Sequence, residues 1–96
     1  MIIELKKFGA ILTSRQLGKE SLLAFLPSLN NIPAEEKIYL DFSELSAFSP
    51  SWGDEFLTPL YKKFGQNLIL KKTNNLSVEE TIKTLEGANK IKFVWE

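Results

Sequence analysis

Apolar and polar positions in this chain repeat in two periods, one near two residues and one between three and four. Ile3 and Leu5 alternate with Glu4 and Lys6, the pattern of a strand with one wet face. Gly9 offers a turn and Ala10-Ile11-Leu12 reads as a returning strand, so an N-terminal hairpin is expected. Ser14 then stands where a helix N-cap belongs, and Gly18, Leu22, Phe25, Leu26 and Leu29 share one face at helical spacing. Gly18 would let that helix lie close to a sheet, and Pro27 predicts an end or kink near Phe25-Leu26. Ile38-Tyr39-Leu40, within Lys37 to Phe42, is apolar on both faces, as a central strand would be. A second helix is predicted over Ser51 to Phe64. Trp52, Phe56, Leu60 and Phe64 recur there every four residues, Pro59 is expected to bend it, and Gly65 suits its end. Leu68-Ile69-Leu70 reads as another buried strand. Ser77-Val78-Glu79-Glu80 resembles a capping box for a third helix that Gly87 would close, and Ile91, Phe93 and Trp95 alternate as a last strand.

Strands that alternate with helices call for crossover connections. The expected fold is therefore a small α/β single domain over residues 1–96, with a mixed, mostly parallel central sheet, the N-terminal hairpin and about three helices. A composition of 44% hydrophobic and 25% charged residues is that of an ordinary globular domain. Twelve basic residues balance twelve acidic ones, so no net field draws the chain to nucleic acid or to an anionic membrane. With no cysteine and no histidine, disulfides, thiol or imidazole catalysis and zinc-finger sites are ruled out. Charged residues interrupt the first seven positions, and the longest uncharged run, Ser21 to Ala34, holds two prolines and two asparagines. Neither suits a signal peptide or a membrane span, and a cytoplasmic location is expected.

The stretch from Leu40 to Leu57 carries the chemistry on offer. A strand ends at Asp41, a short loop follows, and a helix opens near Ser51, the arrangement in which open α/β sheets place functional groups. Ser49 with Pro50 makes an N-cap and first-turn pair, and Ser51 with Asp54 is a second way of capping; polar caps begin most helices. The competing reading is a phosphoacceptor whose new charge meets the free N–H groups of the helix start. Asp41, Glu44, Asp54 and Glu55 are a conceivable Mg²⁺ set but more often such residues form a solvated face, so no metal and no cofactor is assigned. Trp52 suits either an exposed partner anchor or the core. Arg15, the sole arginine, is expected either to pair with Asp41 or Glu44 across the top of the sheet or to point outward. Lys6-Lys7 and Lys71-Lys72 are too sparse for a nucleic-acid stripe, and the five glycines form no phosphate loop.

Asp41-Phe42-Ser43 followed by Ser51-Trp52-Gly53-Asp54-Glu55-Phe56, with Ser14-Arg15 and Gly18 upstream, resembles the STAS-like family, bacterial and phage-borne domains of unassigned function. It is more distantly similar to the STAS domains of anti-sigma-factor antagonists, in which a kinase phosphorylates a serine or threonine at the start of the corresponding helix. The resemblance implies a non-enzymatic regulatory module with a protein partner, an ATP-dependent serine kinase of the anti-sigma type. It puts the phosphoacceptor at Ser51, with Ser49 next. Here no acidic residue precedes the serine, and Trp52 stands where the antagonists carry a small residue. The expected partner surface is Asp41, Trp52, Asp54 and Glu55. The alternative is a constitutive oligomerisation subunit, a homodimer for instance, pairing through sheet edges at Ile3/Leu5 or Phe93/Trp95.

Overall fold

The computed structural model describes Met1 to Glu96. Its elements run β1 (Ile2–Glu4), β2 (Ile11–Leu12), α1 (Arg15–Leu29), β3 (Ile38–Asp41), β4 (Ala47–Phe48), α2 (Pro50–Phe64), β5 (Leu68–Leu70), α3 (Leu76–Asn89) and β6 (Val94–Trp95). Four strands form one sheet in the order β1-β3-β5-β6, while β2 and β4 form a separate two-stranded ribbon. Every pairing is parallel, with Ile3 beside Leu40 and Leu40 beside Leu70. The chain steps in one direction across the sheet, and right-handed crossovers then leave all three helices on one face. The core agrees: one cluster joins Ile3, Ile38, Leu40, Leu68 and Leu70 to Phe25 and Leu29 of α1, Trp52, Phe56, Leu57 and Leu60 of α2, and Val78, Ile82 and Leu85 of α3. It is a two-layer α/β domain, as the alternating pattern predicts.

The expected hairpin does not form. Leu5–Phe8 winds into a 3₁₀ turn ending at Gly9, whose φ of 132° few side chains tolerate. That turn points both Leu5, fully buried, and Phe8 at the core, so β1 and β2 separate and each pairs with a later strand. Nor does α1 stop at Phe25-Leu26. It runs through Pro27 to Leu29, because Pro27 lies on the exposed face, where water reaches the carbonyl its ring leaves unbonded, while Phe25 and Leu29 anchor the buried face. Gly18 does permit a close approach, but to Trp52 of α2 rather than to the sheet.

At α3 the cap is Asn75, whose side chain accepts from the Val78 N–H at 3.3 Å, two residues earlier than the expected Ser77. Gly87 stays inside the helix, and Lys90 closes it in the left-handed region at φ 54°. The last strand is shorter than its alternation suggests, because the amides of Ile91 and Phe93 bond to the Glu86 carbonyl and carboxylate instead of to a neighbouring strand.

Candidate functional site

The start of α2 is built by the small ribbon. β2 and β4 lie side by side, and the Ser49 N–H donates to the Leu12 carbonyl at 3.0 Å. Ser49 occupies the N-cap position but does not cap with its side chain; its Oγ donates to the Thr13 carbonyl at 2.9 Å, tying the helix start to the end of β2. Pro50 has no N–H, and the first intrahelical bond runs from Gly53 to the Ser49 carbonyl at 2.9 Å. The N–H groups of Ser51 and Trp52 are left without a protein partner. Ser51 is half-buried and its hydroxyl makes no hydrogen bond, so of the two candidate serines its oxygen is the less constrained.

Trp52 is 1% exposed, stacked on Phe56 at 4.9 Å between ring centroids and packed near Phe8 and Phe48. The expectation that it meets a partner is corrected: a residue sealed beneath Gly18 of α1 presents no surface. Its place on the buried stripe of α2, four residues before Phe56, is the signal that favours the core.

The arginine is likewise not where expected. Arg15 Nη1 reaches Asp54 Oδ2 at 3.2 Å and Glu55 Oε1 at 3.0 Å, spanning the first turns of α1 and α2, whereas Glu44 pairs with Lys6 at 2.6 Å. Hydrogen bonds from its guanidinium to Glu55 and then Asp54 raise the Arg15 pKa. Burial pushes the Asp54 carboxyl up, but hydrogen bonds from Thr58 and Arg15 help to outweigh it and hold the group below the usual carboxylate range. Asp41 is held low by the Ser43 hydroxyl and then the Ser43 N–H, both donating to its Oδ1, at 2.6 and 2.9 Å. The four acidic residues of the loop region thus fall into three settings, Asp54 and Glu55 sharing Arg15, and no group of three or more metal-ligating side chains comes together.

A cleft of about 640 Å³ lies over the C-terminal ends of β3 and β5, between Asp41, Ser43 and Glu44 on one wall and Lys72, Thr73 and Asn74 on the other. The residues of the second wall are absent from the sequence-based site. Their signal is topological, since adjacent parallel strands end side by side.

A family model described as a STAS-like domain of unknown function matches residues 24–83, well over half of the chain. This chain belongs to that family. The matched segment holds the C-terminal end of α1, all of β3, β4, α2 and β5 and the first half of α3, and so includes the α2 start with Ser49, Ser51, Asp54 and Glu55, while Arg15 lies before it. No curated protein and no solved structure matches the chain. The STAS-like domain therefore carries two features at the start of α2: a serine whose hydroxyl is unengaged, and an arginine of α1 held by two carboxylates of the α2 first turns.

Proposed function

We propose that this STAS-like domain is a non-enzymatic regulatory module that binds a protein partner at the corner formed by Arg15, Ser51, Asp54 and Glu55 together with the loop after Asp41. The observation that carries the reading is the Arg15 bridge to Asp54 and Glu55 beside Ser51. Ser51 precedes Glu55 by four residues, so both lie on one face of α2. A phosphate there would add about −1.5 to −2 charge at pH 7. It would repel Glu55 and compete for the Arg15 guanidinium, changing the charged tie between α1 and α2. Ser51 serves as acceptor in preference to Ser49, whose hydroxyl is engaged by Thr13. The absence of histidine and cysteine favours an interaction role over catalysis. The partner class is an ATP-dependent serine kinase of the anti-sigma type, acting in the cytoplasm.

The test is co-expression with proteins encoded beside it, followed by calorimetry on any complex recovered. Arg15→Glu and Ser51→Asp are each expected to weaken binding about tenfold or more, a change of about 1.4 kcal/mol. With the kinase and ATP, intact mass should rise by one phosphate, and Ser51→Ala should abolish that gain. Unchanged affinity in both charge variants, with folding intact, would refute the surface.

A further inference from the structure

All three helices cover one face of the sheet, and no helix lies on the opposite face. Register places Ile2, Tyr39, Ile69 and Val94 in one row across the four strands. None of the four belongs to the core cluster or packs against it. Ile2 is 58% exposed and Tyr39 and Val94 are half-buried, while Ile69, in the middle, is shielded to 2% without entering that core. A continuous apolar row on a sheet face that carries no helix is the kind of surface that packs on another sheet.

We propose that this face stacks on the same face of a second copy, with the two-fold axis running across the strands. Charge selects both the occupant and the direction. Glu4 and Asp41 lie side by side at the C-terminal ends of β1 and β3, and Glu96 extends β6 beside Lys71, its N–H donating to the Leu70 carbonyl at 2.9 Å. Lys37 immediately precedes β3 at its other end. An axis across the strands reverses the second sheet, sets Lys37 of each copy opposite Asp41 of the other, and places Tyr39 on Tyr39 and Ile2 on Ile2. An axis along the strands would bring Glu4 opposite Glu96 and Ile2 opposite Val94. Only the first arrangement avoids facing like charges, which cost stability directly across an interface. The row is short against the roughly 800 Å² per partner of a standard interface, so a weak, concentration-dependent dimer is expected, with a dissociation constant on the order of micromolar.

Sedimentation velocity from about 1 to about 500 μM, the range of weak interfaces, reads this out. The expected result is a monomer–dimer equilibrium that Tyr39→Lys weakens at least tenfold and Tyr39→Phe preserves, with circular dichroism unchanged in both. Because the chain lacks cysteine, Ile2→Cys can be probed with a short bismaleimide, and covalent homodimer is expected. A protein that stays monomeric throughout would overturn the proposal, as would a dimer indifferent to Tyr39→Lys, which would point to a strand edge or to another surface. Cross-linking of Ile2→Cys to Val94→Cys with no Ile2→Cys homodimer would overturn the stated axis.

Discussion

Gly18 stands against Trp52 where α1 packs on α2. A Cβ there would lie 2.8 Å from the Trp52 carbonyl oxygen and 3.0 Å from its Cα, backbone atoms that cannot swing aside. Alanine is the better helix former by about 1 kcal/mol. The clash should nonetheless win, and Gly18→Ala is expected to lower stability by about 1–3 kcal/mol in urea unfolding. Gly87→Ala is the control: nothing lies within 4 Å of its Cβ position, and it should stabilise by about 0.5–1 kcal/mol. The two glycines look alike in sequence, both inside helical stretches. What separates them is a neighbour 34 residues away, visible only once α1 and α2 are side by side. Arg15 illustrates the same point, since its partners lie 39 and 40 residues on, and local spacing does not choose between them and Asp41 or Glu44.

Among the elements, strands and helices follow from periodicity, while their ends follow from competition between local groups. Ser77 and Asn75 are both plausible caps for α3. Asn75 prevails because its side chain works twice, accepting from the Val78 N–H and donating to the Leu45 carbonyl at 2.9 Å in the loop after β3. Replacing Asn75 with alanine should therefore cost about 1–2 kcal/mol and lower the melting temperature, whereas Ser77→Ala should stay within about 0.5 kcal/mol. In α1, the apolar stripe legible in the sequence carries the helix past Pro27, since burial of Phe25 and Leu29 offsets one missing donor on the wet side. The hairpin fails on the same ground: Leu5 and Phe8, three residues apart, are both drawn to the core, which a 3₁₀ turn allows and a straight strand with alternating faces does not.

For the whole molecule, the carboxylates set the response to acid. Asp41 and Asp54 both titrate below the ordinary aspartate value of about 3.9 when folded. On acidification the unfolded chain takes up these protons first. The stability they contribute is full above about pH 4 to 5 and is lost as pH falls through the folded values. Urea midpoints measured between about pH 2 and pH 7 should fall on acidification, and Asp41→Asn should flatten that fall by lowering the midpoint near pH 7 while leaving it little changed near pH 2. The exposed Arg15 and Lys6 pairs add little to this, since surface ion pairs are screened by water and salt.

Period-two and near-four patterns, with the order in which they occur, were enough to determine an α/β domain with a mostly parallel sheet and three helices, because each pattern dictates which face of its own element is buried. The same patterns marked the strand-to-helix passage from Asp41 to Ser51 as the candidate site. Tertiary structure decided which buried faces meet. It sent Trp52 inward beneath Gly18, joined Arg15 to Asp54 and Glu55, split the first two strands between two sheets, and left one side of the main sheet without a helix. These outcomes depend on contacts between residues far apart in the chain, whose energies no short window of sequence contains.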